Sequence, residues 1–303
     1  MASTNLALRL KEAVRGHVYA DEPMWRHTSF RIGGPADALV LPKDKEDLIT
    51  LLQVLSDLQV PFYVIGAGTN LLVRDEGVRG AVIKIAGTFS GVTREEEGVV
   101  RSGAGTPLPE VCHKAASWGL AGLEFASGIP GSVGGAIAMN AAAYGFSICE
   151  VVQMVRAITY EGHCLELGRD ELEPGVKTTR VLQDPLILVE ADFALRHDDP
   201  DAIAERMQRY LEERSRRQPL SLPSAGCAFK NPAGEGAGRF IDAAGLKGTR
   251  VGGAEVSRVH ANFIVNTGGA TAKDVLSLME KVQDAVHSRF GVTLEPELRV
   301  LGG

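Results

Sequence analysis

No run of 18 apolar residues occurs in this sequence, which excludes an ordinary membrane-spanning helix. Cysteine is scarce. Cys112, Cys149, Cys164 and Cys227 are widely spaced with no C-x-x-C pair, so neither a zinc site nor a disulfide framework is indicated and no metal is expected. Three of these thiols read as inert core residues, and Cys227 stands apart. An excess of positive charge is also missing: 32 basic against 38 acidic residues leave a net charge of −6, which gives no global pull toward nucleic acid. The opening MASTNLALRLKEAVRG lacks the continuous apolar stretch and cleavage site of a secretory signal and reads as an amphipathic helix. The expectation is a cytoplasmic protein without membrane insertion.

What the chain has in quantity is glycine, 35 residues in 303, too many for a plain helical bundle and suited to turns and ligand loops. The length favours two or three domains of mixed α and β structure. The densest stretch is GLEFASGIPGSVGGAIAMNAAAYG, in which Gly128, Gly131, Gly134 and Gly135 bracket Pro130 and Ser132. A helix over Val133–Ala143 would place backbone N–H groups where a phosphate or pyrophosphate can be held. The alternative is a turn that lets a helix pack tightly on a sheet.

Along the chain, the apolar run ending at Val40 and Leu41 predicts a strand, and Leu48, Leu51, Leu52, Leu55 and Leu58 carry helical spacing within Lys43–Leu58. Phe62–Ile65 is a short strand placed directly before Gly66. GAGTNL at Gly66–Leu71 starts like a dinucleotide fingerprint, but Leu71 occupies the third glycine position, which disfavours a Rossmann fold. GAGTPL at Gly103–Leu108 fails the same test, with Pro107 suited to start a helix over Leu108–Trp118. Ala81–Ile85 and Gly98–Arg101 read as short strands, Val151–Tyr160 with Cys164–Leu167 as a hairpin, and Leu186–Leu195 as a strand. The arginines of Asp198–Arg217 are interspersed with Glu205, Glu212 and Glu213 and read as a solvated helix face. QPLSLPSAG, Gln218–Gly226, reads as a linker into a C-terminal unit with a strand at Asn262–Val265, a helix at Thr271–Phe290 and a closing strand at Thr293–Val300.

Three polar clusters stand out: Cys227 with Lys230 and Asn231, Lys247 with Arg250, and Glu295, Glu297 and Arg299. Singly, each has an innocent reading as a small core residue, a solvated surface or a charge-protected edge strand. Together with TSFRIGGPAD, PFYVIGAGTNLLVRD, the long glycine stretch, AGLKG, HANFIVN and LEPELRVLG, in that family's order, the chain resembles the UDP-N-acetylenolpyruvoylglucosamine reductases over nearly its whole length. It resembles their shorter subtype, because Val189–Arg217 leaves no room for the tyrosine-bearing insertion of the longer one.

The resemblance implies an α+β chain with a non-Rossmann, two-subdomain FAD-binding fold of the vanillyl-alcohol-oxidase type, expected as residues 1–86 and 87–217, and a C-terminal α+β substrate domain, 218–303. It implies non-covalent FAD, since neither glycine loop offers a His or Cys tether, with NADPH as hydride donor and a UDP-sugar as substrate. The oligomeric state stays open, a monomer being the expectation. By resemblance, Gly66, Ala67, Gly68, Thr69, Asn70 and Leu71, then Gly128, Ile129, Gly131, Ser132, Gly134 and Gly135, would cradle the cofactor, with Asn140 and Gly145 at further flavin-side positions. Cys227 takes the place of the proton donor, often Ser in the family, and Glu297 that of the catalytic glutamate, acting without metal. Asn231, Lys247, His260 and Arg299 match positions that bind the UDP-sugar, His260 replacing a glutamine of some members. One departure is Val176-Lys177-Thr178-Thr179, where the family carries a tyrosine-arginine pair followed by Ser. Lys177 keeps the charge without the planar fork, and Arg180 is the alternative. An oxygen-using oxidase on the same flavin fold would carry a different C-terminal domain, against which GCAFKNP and LEPELR argue; a binding protein without turnover is the other competing reading.

Overall fold

The computed structural model describes residues 2–96, 98–232 and 235–303. The chain forms two compact units, one from Met1–Ala20, Ala38–Ala67 and Gly80–Arg214, the other from Asp21–Asp37, Gly68–Arg79 and Ser215–Gly303.

In the first unit, α1 (Ala2–Ala13) packs on α2 (Lys45–Asp57). Asp44 caps α2 by accepting the Asp47 N–H, and the stripe Leu48, Leu51, Leu52 and Leu55 is buried, as the spacing predicts. The buried Asp47 carboxylate accepts the backbone N–H groups of Arg15, Gly16 and Lys43 at 2.7, 2.9 and 2.8 Å, which ties α2 to the segment after α1. The strands His17–Pro23, Pro35–Leu41, Val78–Lys84 and Phe62–Ile65 lie in that order in one sheet. Phe62–Ile65 runs parallel to Val78–Lys84, with Ile65 opposite Lys84, and delivers the chain to Gly66.

A second, antiparallel sheet of the same unit has the order Cys164–Gly168, Val152–Thr159, Leu186–Ala194, Val99–Gly103, Val92–Arg94. The expected hairpin is present, with Ile158 opposite Cys164. Cys112 and Cys149 are buried as expected, but Cys164 is exposed. It lies on an edge strand, where alternate side chains face water. The helices α3 (Leu108–Ser117), α4 (Val133–Ala138), α5 (Arg180–Gln183) and α6 (Pro200–Arg217) complete the unit. The helix expected over Val133–Ala143 stops at Ala138, because Asn140 takes a left-handed conformation at φ 40°. Its side chain is fixed there by donating to Gly175 O at 3.0 Å and accepting the Cys149 N–H at 3.4 Å. Ala142–Ala143 then turns through Tyr144 and Gly145 to pair with Phe146–Ser147.

In the second unit, the sheet order is Ser224–Cys227, Phe263–Asn266, Ala254–Val256, Arg250–Val251. It is covered by α8 (Ala272–Phe290), whose Val275, Leu278, Met279, Val282 and Val286 are buried, and accompanied by α7 (Ala237–Ala243). Thr271 and Asp274 form a capping box on α8, Gly291 ends it at φ 68°, and the Asp75 carboxylate accepts the N–H groups of Ala272 and Lys273 at 2.8 and 3.0 Å. The closing strand is confined to Arg299–Leu301, which pairs in parallel with Leu71–Val73. Pro296 has no N–H for a ladder, so the preceding residues pair differently: Lys230 N–H donates to Glu295 O and Glu297 N–H to Ala228 O, both at 2.8 Å, around a Phe229–Pro296 bridge. Among the described residues no helix is long and apolar enough to cross a membrane.

Candidate active site

Within the first unit the glycine loops converge. A Cβ on Gly66 would sit 2.2 Å from Ser132 Oγ, so the end of the strand Phe62–Ile65 touches the start of α4 and only hydrogen fits. Leu108 N–H donates to Gly131 O at 2.9 Å, Val133 N–H to Thr106 O at 2.9 Å and Gly134 N–H to Ala104 O at 2.8 Å. The amides of Val133 and Gly134, expected to face an anion, are thus engaged by the third glycine loop, Gly103–Leu108. Gly135 N–H meets Ser132 Oγ at 3.4 Å. Gly134 is glycine for a packing reason, since a Cβ there would lie 3.0 Å from Ala104 Cβ. The close-packing reading of the stretch is the one seen in the fold, as small residues at Gly66, Ala104, Ser132 and Gly134 let these segments approach closely. Gly128 lies against α6, its would-be Cβ 2.8 Å from Arg214 Cδ, while Ile129 N–H returns to Ala126 O. A Cβ on Gly145 would meet nothing within 4 Å.

The turn that bears Lys177 is braced by Asn140. Gly175 N–H donates to Thr178 O at 2.9 Å, and Lys177 occupies the left-handed region at φ 58°, unusual for a side chain of its size. The fully buried Thr179 hydroxyl donates to Ala138 O, and Asn140 Nδ2 holds Gly175 O. Arg180, the alternative cation, points into an ion pair with Asp184 at 2.6 Å.

The second unit brings the backbone segments that carry Cys227 and Glu297 together. Cys227 ends the strand Ser224–Cys227 opposite Phe263, after a bulge at which Gly226 has φ 78°. The next residue, Ala228, accepts the Glu297 N–H, which places the two segments side by side. Asn70 Nδ2 donates to Glu297 O at 3.2 Å, and Arg299 N–H donates to Asn70 O at 3.0 Å, so the end of the GAGTNL loop is stitched to the same segment. Gly68 in that loop is required by His27 O, which a Cβ would approach to 2.0 Å at φ 69°.

Three expected sugar-nucleotide residues gather around α7. Asn231 Oδ1 accepts the Ala237 N–H at its start, and Lys247 Nζ pairs with Asp242 at 2.7 Å. His260 lies 3.5 Å from the would-be Cβ of Gly238 and accepts the Asn262 N–H on Nδ1 at 3.2 Å, which leaves its proton on Nε2. Burial, then the charge of Lys247, pushes the imidazole pKa below its ordinary value, so the ring is a neutral donor. Arg299 is exposed on its short strand. Three connections were missed in the sequence. Asn70 and Asn262 lie inside the GAGTNL and HANFIVN stretches, but their side-chain partners, Glu297 O and the Phe229 backbone, are far away in the chain. The ion-pair network of Arg101, Arg156 and Asp192 left a trace only in charged residues within otherwise apolar strands.

An N-terminal part that houses glycine loops of this kind, with a separate C-terminal sheet, matches a known class: residues 36–168 fit the profile of an FAD binding domain, and the fold is of the vanillyl-alcohol-oxidase type with a further C-terminal domain. The chain is an FAD-dependent oxidoreductase by class. Residues 218–301 fit the profile described as UDP-N-acetylenolpyruvoylglucosamine reductase, C-terminal domain. The chain is 48% identical over 289 residues to the reductase of that name from Pelobacter propionicus, covering 95% of this chain and 97% of that one. With that from Geobacter metallireducens it shares 46% over 297 residues, 98% of each chain. A crystal structure of UDP-N-acetylenolpyruvylglucosamine reductase from Thermus caldophilus superimposes with a TM-score of 0.81 at 38% identity, covering 95% of this chain and 99% of that chain. The chain belongs to the UDP-N-acetylenolpyruvoylglucosamine reductase family.

The side chains and backbone present fit FAD. Gly66, Ser132 and Gly134 keep the side chains small where the glycine loops meet, as a site in which backbone approaches a pyrophosphate requires, although the Val133 and Gly134 amides are bonded to Thr106 O and Ala104 O.

Proposed function

We propose that this chain reduces the enolpyruvyl group of UDP-N-acetylglucosamine enolpyruvate to UDP-N-acetylmuramate, a step of peptidoglycan precursor synthesis, with NADPH as hydride donor, Cys227 as proton donor and Glu297 as its catalytic partner. The observation that carries the reading is the hydrogen bonding of the Cys227 and Glu297 segments to each other, with Asn70 of the glycine loop bound to Glu297. Bound FAD would supply the hydride-transfer chemistry between NADPH and one carbon of the enol ether. The backbone of Gly66–Leu71 and Gly128–Gly135 would hold it non-covalently, with Asn140 and Gly145 on the flavin side. The neighbouring carbon needs a proton, and the Cys227 thiol supplies it, leaving a thiolate that is reprotonated from water. A thiol of reference pKa about 8.5 is mostly protonated at neutral pH yet gives up its proton far more readily than a serine hydroxyl.

Lys177 is the cation that stabilises the enolate-like charge between the two transfers, a reading favoured by the pairing of Arg180 with Asp184. Asn231, Lys247, His260 and Arg299 bind the UDP-sugar, His260 by donating from Nε2. The domains run 1–86 and 87–217 for the flavin and 218–303 for the substrate, and the chain is a cytoplasmic monomer of the shorter subtype. The test is spectroscopic: the purified protein should be yellow, NADPH should bleach it and the enolpyruvyl substrate should restore the colour. A flavin that NADPH bleaches but only oxygen reoxidises would overturn the assignment in favour of an oxidase.

A further inference from the structure

The segment that carries Cys227 is held by backbone bonds on both edges and, on one of them, by a buried side chain. The partner strand Phe263–Asn266 ends its ladder at the Cys227–Phe263 pair, yet the contact continues through the preceding residue. Asn262 O accepts the Ala228 N–H at 2.7 Å. Its side chain then does for Phe229 what a strand backbone would: Oδ1 accepts the Phe229 N–H at 3.0 Å and Nδ2 donates to Phe229 O at 2.8 Å. Asn262 is 2% exposed, so no water substitutes for either bond. On the opposite edge of the same segment, Ala228 O and Lys230 N–H pair with Glu297 and Glu295. Residues 227–230 are therefore fixed from both sides, and Gly226, in its left-handed bulge, supplies no restraint of its own.

We propose that Asn262 is a positioning residue for proton delivery, its amide clamp on Phe229 setting where Cys227 stands relative to Glu297; this rests on Cys227 being the proton donor. Asparagine fits because the site needs one acceptor and one donor at a fixed separation. Aspartate keeps the shape but, when ionised, turns two oxygens on a backbone donor and a backbone acceptor. When protonated, it restores the missing donor. The substitution Asn262→Asp thus converts the clamp into one that closes with acid.

The experiment follows both half-reactions of the holoenzyme by anaerobic stopped flow between pH 5.5 and 8.5, with urea unfolding at each pH as the check on folding. Flavin reduction by NADPH in Asn262→Asp should stay within about twofold of wild type. Reoxidation by the enolpyruvyl substrate should slow about 10²-fold at high pH, as misplacement by about 1 Å does, and should recover as pH falls. In the Cys227→Ala background, Asn262→Asp should add no further pH-dependent loss. Equal losses in both half-reactions, or slow reoxidation without recovery in acid while the fold is intact, would overturn the positioning role. So would normal reoxidation in Asn262→Asp beside a slow Cys227→Ala enzyme, an outcome that leaves the proton donor standing. Normal reoxidation in Cys227→Ala would instead remove the donor, and the clamp's catalytic role with it.

Discussion

At the scale of single residues, Gly134 shows how a glycine can serve packing between two loops. Its amide binds Ala104 O and its missing Cβ makes room for Ala104, so Gly134→Val should push loop 103–108 away and weaken FAD retention. Titration of the apoprotein with FAD, monitored by flavin fluorescence, checks this; unchanged affinity in a folded variant would make the contact incidental. Lys177 is the second case. Its ammonium is a compact charge without an arginine's planar fork, on a backbone held left-handed by the Gly175–Thr178 turn. Lys177→Met should slow flavin reoxidation by the enolpyruvyl substrate more than flavin reduction by NADPH, whereas Arg180→Met should be mild because that guanidinium is paired with Asp184. The reverse order would move the cation by three residues.

At the scale of elements, the legible parts were those whose cause is local. Asp44 with Leu48, Leu51, Leu52 and Leu55 specifies α2 within its own span, and Thr271 with Asp274 does the same for α8. The early end of α4 was not legible, because the Asn140 turn depends on Gly175 O, 35 residues away. The same holds for residues 293–298, whose partners at 228–230 lie across the unit's own sheet edge. Among the charged residues, the five-stranded sheet carries a network that composition could not place: Arg101 grips Asp192 with Nε and Nη2 at 2.7 and 3.1 Å, and Arg156 reaches Asp192, Glu190 and Glu166 at 3.0, 2.9 and 3.0 Å. Burial would push the Asp192 carboxyl up, but hydrogen bonds from Arg101 and Arg156 outweigh it and hold the pKa below its ordinary value. A depressed carboxyl contributes stability that is complete above its unfolded pKa of about 3.9 and is lost as pH falls through the folded one. Asp192→Asn should therefore lower the urea midpoint at pH 7, corresponding to a loss of about 2 kcal/mol because both arginines are partly exposed and keep other carboxylates, and flatten its fall below pH 4. A variant as acid-sensitive as wild type would show that other carboxylates govern that range.

At the scale of the whole molecule, the candidate catalytic side chains were identified in the sequence by family motifs, while their arrangement had to come from the fold. The residues of GAGTNL illustrate this: Gly66 closes on Ser132, and Asn70 binds the Glu297 segment, so one loop serves two tasks that the string of letters does not separate. The absence of His and Cys from both glycine loops leads to a further expectation, that acid precipitation releases all flavin colour into the supernatant; colour retained in the pellet would reveal a covalent link. The central claim is that hydride transfer and proton transfer are divided, with the proton coming from Cys227. Anaerobic stopped flow on Cys227→Ala tests it most directly. Bleaching of the flavin by NADPH should proceed at the wild-type rate, while reoxidation by the enolpyruvyl substrate should fall about 10²- to 10⁴-fold, with Cys227→Ser retaining much more activity; near-wild-type reoxidation in a folded Cys227→Ala enzyme would contradict the account.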